Sequence, residues 1–257
     1  MRRWGKRLVM LLAVGGIVGL AMAALLYRNA RADPVVRTVR VALPRWPADA
    51  RPVRLVLWSD LHLGDAATDP ARLERVARQV TELRPDLVVI AGDFVSGHDP
   101  GKAQQLAPEL TRALSLVRAR MGMVVVLGNH DHWSGAEAVR AAVRRAGATV
   151  LDNAAVVRGP LVIGGVDDDY IGHAQVATTI AAMRALSGAP VLVSHSPDVA
   201  PGLPDDVQLL LAGHSHCGQI VLPILGPPVL PLKTGARYLC GVVRERERTV
   251  EIGRAHV

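Results

Sequence analysis

Two patterns of hydrophobic and polar positions alternate along most of the chain. Short runs rich in Val, Leu and Ile recur, and the segments between them carry apolar residues at i, i+3, i+4 and i+7. The first pattern is typical of buried strands and the second of amphipathic helices, which predicts an α/β fold of strand–helix–strand units. The predicted strands are residues 53–58, 87–91, 123–127, 161–164, 190–194 and 207–212, the predicted helices are residues 70–83, 104–120, 136–146 and 175–186, and residues 236–243 and 248–252 predict a closing hairpin.

The N-terminal segment follows neither pattern. Residues 8–27 are an uncharged, mostly apolar run of 20 residues with Arg and Lys on both sides. A helix of that length rises about 30 Å, which is enough to cross the hydrocarbon layer. A cleaved signal peptide is the alternative, because Ala30-Arg31-Ala32 resembles a cleavage site, but the apolar part of a signal peptide is shorter, about 7–15 residues. We therefore predict one transmembrane helix in a single-pass anchor, residues 1–34.

Charge is concentrated around this apolar run. Residues 1–40 carry eight basic residues and one acidic residue, whereas residues 41–257 carry 22 of each, so the net charge of +7 lies beside the predicted membrane span. This distribution indicates a membrane surface as partner. The neutral body and the presence of only eight aromatic residues in the whole chain argue against nucleic-acid binding. Half of the residues are hydrophobic, which excludes global disorder. Two cysteines are too few for a disulfide framework or a CxxC zinc module.

Polar side chains follow the carboxyl ends of five predicted strands. Ligands of open α/β sheets bind at these ends, and side chains two residues apart on an extended segment project the same way. We therefore expect Asp60 to converge with His62, and His214 with His216. Each motif alone is common in turns, but five at corresponding positions point to one site. The motifs are Asp60-Leu61-His62, Gly92-Asp93, Gly128-Asn129-His130-Asp131, His195 and Gly213-His214-Ser215-His216.

This ordered set of motifs resembles that of the calcineurin-like metallophosphoesterases, from about residue 53 to residue 219. The continuation Cys217-Gly218-Gln219-Ile220 resembles a bacterial, membrane-attached branch that includes phosphodiesterases and UDP-2,3-diacylglucosamine pyrophosphatases. The resemblance implies a four-layer α/β/β/α sandwich after the membrane helix, attached to the bacterial cytoplasmic membrane. Arg2-Arg3 fits a twin-arginine export signal loosely, which favours an extracytoplasmic catalytic domain, although basic residues on both flanks leave the orientation open.

The resemblance also implies a site with two divalent metal ions. Asp60, His62 and His216 would hold one ion, Asn129, His195 and His214 the other, and Asp93 would bridge them. Imidazole and oxygen donors without thiolate favour Mn, Fe or Zn. Two metals about 3.5–4 Å apart can share a hydroxide that attacks phosphorus. His130 would serve as the catalytic residue that protonates or stabilises the leaving oxygen, and Asp131 would either orient it or be a solvated turn carboxylate.

These residues predict a hydrolase of phosphodiester or pyrophosphate bonds, with a lipid-linked substrate such as UDP-2,3-diacylglucosamine favoured by the anchor. A phosphomonoesterase, for example a protein phosphatase or nucleotidase, is the alternative enzyme. A non-catalytic scaffold on the same fold is the alternative from another class, and it is disfavoured because all seven ligands and His130 are present. The sequence does not predict an oligomeric state.

Several segments near the predicted site allow two interpretations. Residues 220–232 form an apolar stretch with four prolines, either a lip for acyl chains or a loop buried on the sheet. Trp133, which follows the Asn129-His130-Asp131 motif, is expected either to contact substrate or to pack against its neighbours in the loop. The run Asp167-Asp168-Asp169-Tyr170 is expected to be an exposed acidic helix start rather than part of the cleft. Cys217, where the resembling branch has glycine, is expected to be a small buried thiol.

We expect the catalytic domain to occupy residues 35–257 and to be truncated at its C-terminus. Members of the resembling branch continue with further strands beyond the position of Arg248. Residues 251–257 (EIGRAHV) also match one reading frame of a common sequencing adapter.

Overall fold

A computed structural model describes residues 2–218, 227, 229–245 and 248–253. The fold is mixed α/β with two sheets, as the sequence predicts. The helices are α1 (Arg2–Ala30), α2 (Pro70–Glu82), α3 (Lys102–Leu114), α4 (Asn129–Arg145) and α5 (Val176–Arg184). The strands are β1 (Leu55–Trp58), β2 (Leu87–Ala91), β3 (Met123–Val126), β4 (Ala148–Val150), β5 (Ala154–Arg158), β6 (Leu161–Gly165), β7 (Ala189–Val193), β8 (Leu209–Ala212), β9 (Gly241–Glu245) and β10 (Arg248–Ile252).

The two sheets bring the ends of their parallel strands to one region. The first sheet has the order β1-β2-β3-β4 and is entirely parallel, with Leu57 opposite Val89 and Val89 opposite Val124. The second has the order β5-β6-β7-β8-β10-β9, in which β6, β7, β8 and β10 are parallel and the outer strands β5 and β9 pair antiparallel. Every loop that carries a predicted ligand leaves the carboxyl end of one of these strands.

Three clusters of buried side chains separate four layers. The first lies between α2–α4 and the first sheet, the second lies between the two sheets, and the third lies between the second sheet and α5. Strand β2 shows how one strand serves two layers, since Val88 and Ile90 face the helices while Leu87, Val89 and Ala91 face the other sheet. This explains the continuous apolar runs in the sequence, because strands buried on both faces need no polar alternation.

Most predicted elements are confirmed, with shifted ends. Helix α2 begins as predicted, with Asp69 as the N-cap residue that accepts a hydrogen bond from the Arg72 amide at 2.8 Å and with Pro70 in the first turn. Helix α4 begins at Asn129, earlier than predicted, and is interrupted at Gly135, whose φ is 119°. Strands β4 and β5 are not predicted from the sequence. Strands β9 and β10 form the predicted hairpin, although β9 begins at Gly241.

Helix α1 is long and apolar enough to cross a membrane, and it is the one such helix in the described residues. Its side chains are exposed, so it is not a core helix of the folded body. Length and composition therefore make it a candidate membrane span, in agreement with the predicted transmembrane helix.

Candidate metal centre

Five predicted ligands adopt a backbone conformation that is rare for residues other than glycine. Asp60, His62, Asp93, His214 and His216 have φ between 46° and 68°. The extended backbone predicted for Asp60 with His62 and for His214 with His216 is therefore wrong, because the chain turns sharply at each of these residues after its strand ends. A left-handed residue costs roughly 1–2 kcal/mol, and such strain is typical of functional sites.

One group of ligand atoms converges from three loops. The carboxylate and imidazole atoms of Asp60, His62, Asp93 and His216 lie within 4.8 Å of one another. His62 Nε2 is 3.0 Å from His216 Nε2 and 3.4 Å from Asp93 Oδ2, and His216 Nε2 is 3.5 Å from Asp60 Oδ1. Four donor atoms this close to one another form a set that a single cation could contact.

A second group adjoins the first through Asp93. Asp93 Oδ2, the oxygen that faces His62, is also 3.2 Å from His195 Nε2, and His195 Nε2 is 3.2 Å from His214 Nδ1. Asn129 is buried, and its Oδ1 has no hydrogen-bond partner in the described part of the chain. A buried polar atom without a partner is costly, so this oxygen suits a ligand.

Hydrogen bonds from outside the cluster orient two imidazoles. His195 Nδ1 donates to the carbonyl of Ala91 at 2.7 Å, and His214 Nε2 donates to the carbonyl of Pro231 at 3.1 Å. Because a carbonyl only accepts, each bond fixes the proton on the outer nitrogen and turns the other nitrogen toward the cluster. Metal-binding histidines in proteins are held in the same way.

Burial and charge adjust the protonation of these side chains. Burial lowers the pKa of His62 and the pKa of His214 to about 4, so both are neutral at pH 7 and can offer a lone pair. Burial would raise the pKa values of Asp60 and Asp93, but the neighbouring histidines outweigh it and hold both below the ordinary range. A donor set of imidazole, carboxylate and amide fits borderline divalent metals.

His195 differs from these two imidazoles. Burial would lower the pKa of His195, but the charge and hydrogen bond of Asp93 raise it well above the usual value. The carboxylate of Asp93 therefore stabilises a positive charge at this position.

Glycines allow the loops to approach one another. A Cβ atom added to Gly213 would lie 2.6 Å from Ser59 Cβ and 2.9 Å from Asp60 Oδ2. One added to Gly92 would lie 2.7 Å from both Gly128 N and His195 Nδ1. This agrees with the expectation that the strand-end glycines permit a crowded centre.

Asp131 has neither of its two predicted roles. It is fully buried, and its carboxylate accepts hydrogen bonds from the amides of Asp93 at 2.9 Å, Phe94 at 2.8 Å, Val95 at 3.2 Å and Gly128 at 3.0 Å. It therefore shapes the loop that carries Asp93 instead of orienting His130 or facing solvent. The sequence contains no signal for this role, because its partners are backbone amides.

His130 lies at the half-buried edge of the cluster. Its amide donates to Asp93 Oδ1 at 2.9 Å, and its ring Nδ1 is 3.1 Å from the carbonyl of Gly97. The His130 ring centroid is 4.8 Å from that of His62 and 5.0 Å from that of Trp133. Trp133 itself stacks on His98 with ring centroids 4.4 Å apart, so it packs locally within an aromatic border of the site.

The run from Asp167 to Tyr170 is not the predicted exposed helix start. Asp167 and Asp168 are buried in a loop, and the next helix begins only at Val176. Tyr170 belongs to the border of the site, since its ring centroid lies 4.7 Å from that of His214. The sequence predicted Tyr170 to be part of an exposed run outside the cleft, because nothing local distinguishes it from a surface tyrosine.

Cys217 is not the predicted buried thiol. It forms a disulfide with Cys240 and is only partly buried. Because the chain has two cysteines, this is a single disulfide and not a framework of several. The disulfide ties the loop of His214 and His216 to the turn before β9, and Ser215 Oγ donates to the carbonyl of Leu239 at 2.7 Å in the same place. Most of the apolar stretch 220–232, namely residues 220–226 and 228, lies outside the described residues, so its two interpretations stay open.

Comparisons with known proteins agree with the geometry. The calcineurin-like phosphoesterase family pattern matches residues 53–218. A transmembrane protein with a metallophosphoesterase domain from Danio rerio is 29% identical over 86% of this chain and 52% of its own length. An uncharacterized metallophosphoesterase from Aquifex aeolicus is 30% identical over 70% of this chain and 68% of its own length.

A solved structure shares the fold. The NAD nucleotidase of Haemophilus influenzae superimposes with a TM-score of 0.50 at 14% identity, covering 79% of this chain and 44% of that one. The chain spans about half to two thirds of the length of the first three curated relatives that it matches. The family pattern covers more than half of the chain, and the Aquifex aeolicus relative is matched over two thirds of its length. This chain therefore belongs to the calcineurin-like phosphoesterase family.

Proposed function

We propose that this protein hydrolyses phosphodiester or pyrophosphate bonds with two divalent metal ions. The observation that carries the proposal is the position of Asp93 Oδ2, which lies 3.4 Å from His62 Nε2 and 3.2 Å from His195 Nε2. One carboxylate oxygen between two groups of imidazoles is the arrangement that a bridging ligand requires. The residues that would hold the first ion are Asp60, His62 and His216, those for the second are Asn129, His195 and His214, and Asp93 would contact both.

The bound metals would supply Lewis-acid activation of water and neutralise charge on the phosphoryl oxygens. The chain itself supplies a proton donor at the edge of this centre. The Gly97 amide donates to His130 Nδ1 at 3.3 Å, which leaves the ring proton on Nε2, the nitrogen that would protonate a leaving oxygen. The amide of His130 also holds Asp93 Oδ1, so the proton donor and the bridging carboxylate are positioned together.

The membrane helix is retained in this proposal. Arg72 is 4% exposed, and its guanidinium donates to the carbonyls of Arg31 at 3.2 Å and Ala32 at 2.7 Å. Cleavage after Ala32 would remove both acceptors and leave a buried cation without them, which is costly. The contacts therefore support a single-pass anchor over a cleaved signal peptide.

The disulfide supports an extracytoplasmic catalytic domain, since disulfides persist in oxidising compartments and are rare in the cytosol. A lipid-linked phosphodiester or pyrophosphate is the substrate class that fits an anchored enzyme. On the extracytoplasmic side, a UDP-linked lipid such as UDP-2,3-diacylglucosamine fits less well, because such precursors are made in the cytosol.

The proposal is tested with detergent-solubilised full-length protein supplied with Mn²⁺ and bis-p-nitrophenyl phosphate. We expect His130→Ala to lose most turnover while it keeps both metals, and Asp93→Ala to lose metal, both measured by elemental analysis beside the rate. His173→Ala, which changes an exposed histidine, is the matched control and should keep rate and metal. Full activity of either site variant would contradict the assignment. A higher rate on p-nitrophenyl phosphate than on the diester would favour the phosphomonoesterase alternative.

A further inference from the structure

The segment that follows the membrane helix is bound to the catalytic body. Gln79 Nε2 donates to the carbonyl of Pro34 at 3.0 Å, and the Arg75 guanidinium donates to Asp33 Oδ1 at 3.2 Å. Together with the contacts of Arg72, one face of α2 holds residues 31–34 in place. Helix α1 is therefore connected to the body through a docked segment and not through a free linker.

Arg72 holds the end of the membrane helix. It lies in the first turn of α2, where a cation is unfavourable because the helix dipole is positive there. Its donors reach the carbonyls just beyond the C-terminus of α1, where a cation is favourable, and Nη1 donates to Thr68 Oγ1 at 3.0 Å. Arg72, which belongs to another helix, thus binds the first two carbonyls after the C-terminus of α1.

Arg31 makes the reciprocal connection. Its Nη1 donates to Tyr27 Oη at 3.2 Å and to the carbonyl of Ala66 at 3.0 Å, and its Nη2 donates to Asp69 Oδ2 at 2.6 Å. Tyr27 ends the apolar run, and tyrosines at such positions lie at the membrane–water interface. One guanidinium therefore joins the membrane interface to the loop before α2.

That loop begins at the candidate metal centre. Ala66 comes four residues after His62, and four residues span at most about 14 Å. The loop is closed by internal hydrogen bonds, since Gly64 N donates to the carbonyl of Thr68 at 2.9 Å and Asp65 Oδ1 accepts from the amides of Ala67 and Thr68. A short, closed loop between His62 and the Arg31 contact fixes the height of the centre above the bilayer.

The chain after the docked segment presents a surface suited to lipid. Val35, Val36 and Val39 are 61%, 48% and 41% exposed, and Arg37 and Arg40 between and beside them are also exposed. Valines with arginines at the point where the chain leaves a membrane span match an anionic headgroup layer, into which apolar side chains insert and to which arginines are attracted. The occupant of this surface is the bilayer that holds α1.

We propose that Arg31 and Arg72 form a clamp that holds the metal centre at the surface of the bilayer that contains α1, so that the enzyme takes its phosphoester from that headgroup layer. This proposal rests on the proposed hydrolase function and gives the lipid-linked substrate class a structural cause, the fixed position of the centre beside the bilayer. A flexible linker would let the centre diffuse away from the surface, whereas the clamp keeps it within reach of a phosphate in the same leaflet.

The test compares two esters with the same scissile bond, in vesicles of phosphatidylcholine and phosphatidylglycerol that contain the full-length protein. Hexadecyl p-nitrophenyl phosphate is held in the bilayer, and methyl p-nitrophenyl phosphate stays in solution. We expect a preference of at least tenfold in kcat/KM for the membrane-held ester. Arg72→Gln should reduce that preference about tenfold while the rate on the methyl ester stays unchanged.

Two further variants make the result decisive. Insertion of eight Gly and Ser residues between Asn29 and Ala30 leaves residues 31–34 docked, so we expect this variant to fold even if Arg72→Gln does not. The insertion should remove the preference for the membrane-held ester to the same extent. Arg78→Gln, on the same helix with an exposed side chain that pairs with Glu74, should keep it. The proposal is overturned if the unaltered protein shows no preference or if the insertion variant retains it.

Amide hydrogen exchange separates failure of the clamp from failure of the hydrolase. Residues 31–33 and 62–69 should exchange slowly in vesicles, and both segments should exchange faster in Arg72→Gln but not in Arg78→Gln. Absence of hydrolysis of both esters with this exchange pattern intact would contradict the proposed function alone. Equal exchange in both variants would contradict the clamp whatever the activity.

Discussion

The buried carboxylate of Asp131 accepts a hydrogen bond from the backbone amide of Asp93 at 2.9 Å. Three further amides donate to the same carboxylate, so a single side chain fixes the turn that presents the bridging ligand. Asp131→Asn replaces one acceptor oxygen by a group that donates, and a buried amide left without an acceptor costs about 1–3 kcal/mol. We expect the free energy of unfolding of the metal-free protein to fall by about 3 kcal/mol, measured by urea unfolding in detergent.

Asp99→Asn is the control for this prediction. Asp99 is exposed and accepts a hydrogen bond from the amide of Gly101 at 2.9 Å, so its replacement should cost less than about 1 kcal/mol. Equal destabilisation by the two substitutions would mean that Asp131 has no special role.

Gly128 cannot carry a side chain without displacing the centre. An added Cβ would overlap Asp93 Oδ1 and would lie 2.8 Å from both Asp93 N and His195 Cδ2. We expect Gly128→Ala to lower metal occupancy and to reduce the hydrolysis rate at least tenfold, because two candidate ligands must move. At Gly202 an added Cβ meets nothing within 4 Å, so Gly202→Ala should change neither quantity. Normal metal content in Gly128→Ala would contradict this account.

The pair of His132 and Asp167 predicts a pH-dependent stability. Burial would lower the pKa of His132, but the hydrogen bond from Nε2 to Asp167 Oδ1 at 2.7 Å outweighs it and raises that pKa. Burial would raise the pKa of Asp167, and the same bond lowers it. The stabilisation that Asp167 contributes to the folded state is present above about pH 4 and is lost as the pH falls through its lowered pKa. The stabilisation that His132 contributes is present below about pH 6.5 and is lost as the pH rises through its raised pKa.

The destabilisation caused by His132→Gln should therefore be largest between about pH 4 and 6.5. We expect up to about 2 kcal/mol in that range and a smaller value above pH 8, from urea unfolding of both proteins at each pH. His173→Gln changes an exposed neighbour whose Nδ1 is 3.6 Å from Asp167 Oδ2, and as the control it should destabilise the protein less than His132→Gln. A difference that is constant from pH 5 to pH 9 would contradict the prediction for His132.

The disulfide should stabilise the loop of His214 and His216. Cys217 and Cys240 are 23 residues apart, and closing a loop of that length contributes about 3 kcal/mol in the chain-entropy description. We expect Cys240→Ser to lower the free energy of unfolding by about that amount, and dithiothreitol to destabilise the unaltered protein only. The double variant Cys217→Ser, Cys240→Ser should be no less stable than either single variant. Additive losses would show that the two sulfurs act independently.

Local signals were sufficient for much of the fold. Strand β2 has the predicted bounds because a run of apolar residues flanked by Asp86 and Gly92 is defined by its own composition. Strand β4 has only three residues and β5 is a half-buried edge strand, so neither contains a run that stands out from the neighbouring loops.

The candidate site was predictable in composition but not in detail. Residues at the ends of parallel strands must meet, which places Asp60, Asp93 and His195 together without knowledge of their backbone angles. The left-handed turns, the amide partners of Asp131 and the pairing of Cys217 with Cys240 depend on parts of the chain that become neighbours only on folding. No pattern in a local window reports such contacts.

The left-handed turns at five candidate ligands have a consequence for protein engineering. Copying Asp60, His62, Asp93, His214 and His216 onto the strand ends of an unrelated sheet would not reproduce the cage, because ordinary extended connections would aim the donors apart. A successful graft must include the five left-handed turns together with the glycines that allow the loops to approach one another closely. The unit to transfer is therefore the set of loops with their backbone conformations, because the ligand side chains alone do not determine where the donor atoms point.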